Sequence, residues 1–245
     1  MTFDLTGRTA LVTGAGSPTG IGFATASLLR ELGADVVVAA TSERIHERAA
    51  EIGAMGGIAD LTDEEQVARL PRDIDILVNN AGMVSVGGGF EAGALQDMDL
   101  LIWRAGLARN LDTAFLVSRH MVPGMRARGW GRIVNVTSVT GAVMAMRDEP
   151  VYAAAKAGML GLTRSMAVDL AADGITVNAV APGWIATGSQ TDNEREQGLV
   201  TPIGRSGTPD EVAAAIAWFC TPGAAFTTGQ CLVVDGGNSI AEERA

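Results

Sequence analysis

At 245 residues, 47 % hydrophobic but only 4 % aromatic, the chain can bury one sizeable core built from Ala, Val, Leu, Ile and Met. A net charge of −10 argues against the basic face that a nucleic-acid partner needs. No run of about 18 apolar residues offers a membrane span, and Cys220 and Cys231 lack both metal-ligand spacing and a disulfide framework. With no charged-then-apolar signal at the N-terminus, the expectation is a soluble cytoplasmic protein that binds no metal, its cysteines serving as small buried hydrophobes.

Short Val/Ile-rich runs alternate with longer Ala/Leu-rich stretches along the chain. Strands are predicted at Thr9–Thr13, Asp35–Ala40, Ile74–Asn79, Arg132–Thr137, Thr176–Val180 and Cys231–Val234, with Gly57–Ala59 as a weaker seventh. Most are apolar almost throughout, as strands covered on both faces should be. Helical patterns cover 21–32, 43–52, 63–70, 97–127, 151–172 and 209–219. Two of them open with a hydroxyl three residues before a Glu, at Thr62-Asp-Glu-Glu and Thr208-Pro-Asp-Glu. Repeated βα units predict an α/β fold: a single Rossmann-type, doubly wound domain over 1–245, with a mostly parallel sheet of about seven strands and helices on both faces.

In such a sheet, ligands bind beyond the carboxyl ends of the strands, where strand order reverses. The segment Thr13-Gly-Ala-Gly-Ser-Pro-Thr-Gly-Ile-Gly22 follows the first strand and opens a helix. Its glycines allow sharp turning and close approach of backbone N–H groups to a pyrophosphate at a helix N-terminus. At the end of the second strand stands Ala40, where an acid would bond an adenosine ribose 2′-hydroxyl and repel a 2′-phosphate. Thr41 and Ser42 can donate hydrogen bonds there and Arg44 can supply charge, which favours NADP(H) over NAD(H). Alternatively Thr41 and Ser42 cap the next helix and Glu43 takes the acidic role. Gly87-Gly88-Gly89 either lets a loop pass close to the site or makes a plain turn, and His46 and His120 read as surface residues.

Farther along, Tyr152-Ala-Ala-Ala-Lys156 puts a phenol and an ammonium one helical turn apart, on one face. A free phenol titrates near about 10, and a nearby cation favours its phenolate. The pair therefore suits acid/base work on a carbonyl or an alcohol.

Thr13-Gly14…Gly20-Ile-Gly22, Asn79-Asn80-Ala81-Gly82, Asn110, Ser138, Tyr152-x-x-x-Lys156 and Pro182-Gly183 together resemble the classical short-chain dehydrogenase/reductase family, in order and over the whole chain. Two departures stand out. Five residues separate Gly14 from Gly20 where the family pattern has three, as if Pro18-Thr19 were inserted, and one extra residue lies between Ser138 and Tyr152.

The resemblance implies Tyr152 as general acid or base and Lys156 as the group that lowers its pKa and holds the nicotinamide ribose. It implies Ser138 as the substrate-oxygen anchor and Asn110 as the anchor of a water chain to Lys156. Gly14, Ser17, Gly20, Ile21 and Gly22 would form the phosphate loop. Asn80, Ala81 and Gly82 would line the ribose, Asp60 and Leu61 would flank the adenine, and Pro182, Gly183, Ile185 and Thr187 would hold the carboxamide side. Plainer roles exist: Asn110 bonding backbone within a helix, Ser138 capping a strand end, Asp60 capping the next helix.

The stretch Ala40-Thr-Ser-Glu43 is similar to that of NADP-dependent 3-oxoacyl-carrier-protein reductases. Residues 184–200, polar and lid-like, are expected to form a mobile loop, with Trp184, Met144 and Met146 near an apolar pocket for a modest ketone or secondary alcohol. The resemblance also implies a homotetramer joined through the Tyr152 helix and the last strand. A catalytically silent nucleotide sensor or scaffold on the same fold is the alternative of another class.

Overall fold

The structure, a computed structural model, describes residues 2–82 and 93–242. Gly87-Gly88-Gly89 lies outside the described residues. Seven strands form one fully parallel sheet in the order β3-β2-β1-β4-β5-β6-β7. These are β1 Thr9–Thr13, β2 Asp35–Ala40, β3 Met55–Ile58, β4 Ile76–Asn79, β5 Gly131–Val136, β6 Ile175–Pro182 and β7 Cys231–Val234. The connecting helices are α1 Ile21–Glu31, α2 Arg44–Glu51, α3 Glu64–Val67, α4 Leu100–Leu107, α5 Thr113–Arg128, the short distorted turn α6 Val139–Ala142, α7 Pro150–Leu170, α8 Asp192–Leu199 and α9 Pro209–Cys220.

Strand periodicity builds two cores. Ala10, Val12, Val36, Val38, Ile76 and Val78 point to one face, under α1 and α9 with Leu29, Ile216 and Phe219. Leu11, Val37, Ala39, Leu77 and Ile133 point to the other, under α5 and α7 with Val117, Met121, Met125 and Leu170. Strand order reverses between β1 and β4, so the crevice lies where the β1–α1 loop meets the turn after β4.

Four local expectations are corrected. The stretch 97–127 is not one helix: Asp99 caps α4 through Leu101 N at 2.6 Å, and a π turn at Ala108–Asp112 separates α4 from α5. The third helix is capped by Asp63, not Thr62, because the Thr62 hydroxyl is already spent on Asp60 Oδ1 at 2.7 Å. His120 is half-buried and bonds the Leu70 carbonyl at 3.0 Å, while exposed His46 lies 3.7 Å from Glu43. Cys220 is buried, with its thiol pushed up to about 12 by burial, but Cys231 is only half-buried on β7.

Candidate active site

The sheet delivers Ser138 two residues beyond β5, in extended conformation. Its hydroxyl accepts from Thr140 N at 3.2 Å and lies close enough to the Tyr152 phenol to pull its pKa down. Pro150 opens α7, a position where its missing N–H costs nothing, and the helix then sets Tyr152 and Lys156 one turn apart. Two bonds tie this helix to the strand end: Thr137 Oγ1 to the Lys156 carbonyl at 2.9 Å, and Lys156 Nζ to the Val136 carbonyl at 3.0 Å. Gly141, at φ +91°, makes the close packing possible, since a Cβ there would collide with the Ala153 carbonyl.

Asn110 arrives from another direction, inside the π turn, where its Nδ2 donates to the Gly106 carbonyl at 3.2 Å. Such turns recur at functional positions in helices. Its Oδ1 and Lys156 Nζ converge on Gly82: a Cβ on that glycine would lie 2.8 Å from the first and 3.2 Å from the second. The structure thus brings together Asn110, Ser138, Tyr152, Lys156 and Gly82. Asn110 and Ser138 fill their plainer local roles as well, and the two kinds of role coexist.

Electrostatics correct one expectation. Lys156 Nζ lies 5.6 Å from the Tyr152 ring centre, yet the phenol is raised above its ordinary value, first by burial. The Ser138 hydroxyl pulls it down, and the Glu149 and Glu194 carboxylates push it further up. Lys156 itself is driven down to about 8 by burial, its Nζ engaged with the Val136 carbonyl. The lowering of the phenol expected from Lys156 is not what this geometry produces.

Across the crevice, Thr13 is the hub. Its hydroxyl donates to the Val78 carbonyl at 3.2 Å and accepts from Asn80 N and Ala81 N, both at 3.0 Å. Asn80 Nδ2 returns bonds to the Thr13 and Gly14 carbonyls at 2.9 and 3.1 Å. Gly14 has φ +69° and packs so tightly that a Cβ would sit 2.8 Å from Ala81 Cα. Gly20 caps α1 in extended conformation without a side-chain bond, and exposed Ser17 accepts from Gly20 N at 3.2 Å. The N–H groups of the first turn, beginning at Ile21 and Gly22, have no partner within the helix, so this end is chemically suited to a phosphate.

At the end of β2, Thr41 and Arg44 are exposed and Ser42 is half-buried, with Arg44 Nε 3.5 Å from Ser42 Oγ. Neither hydroxyl caps α2, whose N-cap is Glu43 without a side-chain bond. Asp60 bonds Thr62 N at 2.9 Å and Leu61 is buried in the core. Pro182 ends β6, and Gly183 crosses Asp235 closely. Ile185 then packs on the core, and Thr187 Oγ1 lies 3.0 Å from Ser189 Oγ.

The expectation that 184–200 is loop throughout is corrected too. Residues 192–199 form helix α8, started by a reciprocal capping box between Thr191 and Glu194. The signal was present as Thr191-x-x-Glu194, the same pattern that opens α9 at Thr208 and Glu211. Other contributors escaped sequence reading. Ser118, Asn79, Asn135 and Thr163 form a buried hydrogen-bonded chain between strands and helices, with links of 2.8–3.0 Å. A signal existed for Asn79, already part of the quoted motif, and for Asn135, both polar residues near the ends of otherwise apolar, doubly covered strands; Ser118 and Thr163 come from α5 and α7 and carried none. Buried Asn238 donates to Met144 Sδ at 3.6 Å.

A family model described as enoyl-(acyl carrier protein) reductase matches residues 14–239. The chain is 41 % identical over 246 residues to the cis-4-hydroxycyclohexanecarboxylate dehydrogenase of Sinomonas cyclohexanicum, covering 94 % of this chain and 96 % of that protein. It is 40 % identical over 248 residues to a 3-oxoacyl-[acyl-carrier-protein] reductase of Vibrio cholerae, covering 96 % and 98 %. A crystal structure from Beutenbergia cavernae, described as an NAD(P)-dependent gluconate 5-dehydrogenase with NADP bound at low occupancy, superposes with a TM-score of 0.89 at 36 % identity, covering 98 % of this chain and 100 % of that one.

Proposed function

Because the chain belongs to the short-chain dehydrogenase/reductase family, oxidoreductases that act on CH–OH and C=O groups, we propose that it transfers hydride between NADP(H) and a ketone or secondary alcohol. The observation that carries this reading is the gathering of Ser138, Tyr152 and Lys156 at the end of β5, with Lys156 Nζ 5.6 Å from the phenol ring centre and tied to the Val136 carbonyl. The dinucleotide, when bound, supplies or accepts the hydride. Ser138 and Tyr152 present two hydroxyls to one substrate oxygen. In reduction Tyr152 gives its proton to that oxygen as the carbon receives hydride, leaving an alcohol and a phenolate; oxidation runs the same transfers backwards. A phenol held above its ordinary pKa stays protonated at neutral pH, which suits the acid role. Lys156 and Asn110, converging beside Gly82, line the route by which the proton is replaced.

Gly14, Ser17, Gly20, Ile21 and Gly22 would hold the diphosphate, and Asn80, Ala81 and Gly82 the nicotinamide ribose. Asp60 and Leu61 would flank the adenine, with Pro182, Gly183, Ile185 and Thr187 toward the carboxamide. Ala40 in place of an acid, beside half-buried Ser42 and exposed Thr41 and Arg44, supports NADP(H). The test of the chemistry is Tyr152→Phe: nucleotide affinity stays within a few-fold while turnover falls about 10²–10⁴-fold. Near-normal turnover refutes the assignment.

A 3-oxoacyl-carrier-protein reductase is the second reading, favoured by relatives of that name at 40 % identity. Turnover of acyl-carrier substrates against small ketones and alcohols separates the two. A silent sensor needs only nucleotide contacts, and the assembled Asn110, Ser138, Tyr152 and Lys156 speak against it. Exposed Val168 on α7, Leu100 and Leu101 on α4, Phe115 on α5 and Leu232 on β7 support a homotetramer, which light scattering checks.

A further inference from the structure

Thr19, one of the two extra residues of the glycine loop, meets the segment leaving β6. Thr19 is exposed on the β1–α1 loop, yet a Cβ built on Gly188 would lie 2.5 Å from its Oγ1. Gly188 belongs to the segment leaving β6, so this contact spans the crevice mouth in front of the uncapped start of α1.

Both partners are anchored. On the loop side, Gly20 N bonds the Ser17 carbonyl at 3.2 Å, and Pro18 fixes its own φ. On the lid side, Ala186 N bonds the Gly207 carbonyl at 2.8 Å and Gly207 N bonds the Trp184 carbonyl at 2.9 Å. Gln190 adds a backbone bond to the Thr187 carbonyl at 3.0 Å and a side-chain bond to Ser206 Oγ at 2.8 Å. With Thr19 so placed, a Cβ at position 188 would displace its hydroxyl, so a larger residue there parts the contact.

We propose that Thr19 and Gly188 form a clasp across the diphosphate of the bound dinucleotide, and that this clasp sets the rate of nucleotide exchange. The proposal rests on the dinucleotide reading above. It gives the Pro18-Thr19 extension a purpose: it carries the loop far enough to touch the lid stem. Parting the clasp opens a path for the diphosphate without disturbing Ser138, Tyr152 or Lys156.

The test is stopped-flow dissociation of NADPH, followed by its fluorescence, with hydrogen exchange of amides 186–190 in the nucleotide-free protein as a second readout. Gly188→Val raises the dissociation rate about tenfold, and Thr19→Ala raises it several-fold. The double variant shows less than the product of the two, because both break one contact. Thr19→Ser retains slow release, and exchange at 186–190 quickens in Gly188→Val before any nucleotide is added. Unchanged dissociation in both single variants overturns the proposal, and so does a strictly multiplicative double variant. If the wild-type protein binds neither NADPH nor NADH, the dinucleotide reading itself fails and the clasp falls with it. These outcomes are distinguishable because affinity is read before release.

Discussion

The two halves of the crevice are built from different material. On the β1–β3 side the groups that face a ligand are backbone: a glycine loop, the start of α1, and turns pinned by Thr13 and Asn80. Its side chains at the β2 end sit exposed on the rim. On the β4–β7 side the site is side chains: Lys156 and Asn110 are buried and bonded, to Val136 and Gly106, while Ser138 and Tyr152 are half-buried. A site made of backbone tolerates changes at its rim but not an added carbon at its glycines. A site made of buried titratable side chains responds to pH.

The largest expected effect tests the buried half. If Lys156 holds the nicotinamide ribose and relays the proton as proposed, Lys156→Met should lower turnover about 10²–10⁴-fold. It should also change how stability depends on pH. Lys156 titrates near 10.5 in the unfolded chain and near 8 in the fold, so across that window the unfolded chain binds the extra proton. Its contribution to stability therefore rises as pH goes from about 8 to 10.5, and the full penalty of burying the charge applies below 8. Denaturant midpoints of variant minus wild type should be most favourable to the variant below pH 8 and decline through the window. The span is about 3 kcal/mol at most, less the lost bond to Val136. Taking the difference cancels Cys220 and Tyr152, which both chains share. A difference that stays flat from pH 7 to 10 contradicts the burial argument.

The backbone half is tested next by Gly22→Val. The first added carbon would lie 2.5 Å from Asn80 Nδ2 and 2.7 Å from the Gly14 carbonyl, both parts of the pinned turn rather than free side-chain ends. Melting should show a loss of about 1–3 kcal/mol. Nucleotide titration should show at least a tenfold weakening, because the same turn positions the α1 N–H groups. Unaltered affinity would mean that the glycine turn is not the nucleotide cradle.

How legible each half was follows from the same distinction. Glycines between a strand and a helix announce a backbone site, and Tyr152-x-x-x-Lys156 announces a side-chain one, because both patterns are local. Doubly covered strands likewise show in their unbroken apolar runs. What stayed hidden depends on neighbours remote in the chain. The π turn at Ala108–Asp112 fits Asn110 into the crevice, and nothing in its helical pattern marks the inserted residue. The direction of the Tyr152 shift is set first by burial, with Glu149 and, from remote α8, Glu194 adding to it. His120 looks solvent-facing until α5 lies beside Leu70. Thr191-x-x-Glu194 was readable, but the strongly polar lid around it suggested a loop.

The smallest effect belongs to the rim and concerns coenzyme choice alone. Ala40 ends β2 beside the glycine loop, where a Cβ on Gly16 would lie 3.1 Å from its own Cβ. Ala40→Asp would set a carboxylate against a 2′-phosphate while offering it to a 2′-hydroxyl. Steady-state kinetics should show kcat/KM for NADPH falling about ten- to a hundredfold and that for NADH holding or rising. Arg44→Ala should act in the same direction with a change of only a few-fold, because an exposed cation is screened by solvent. Melting temperature should stay constant in Arg44→Ala, whose guanidinium makes one marginal contact, to Ser42 at 3.5 Å. If Ala40→Asp leaves the NADPH-to-NADH ratio untouched, the 2′ position of the adenosine lies elsewhere, and the rim of the backbone half plays no part in choosing the coenzyme.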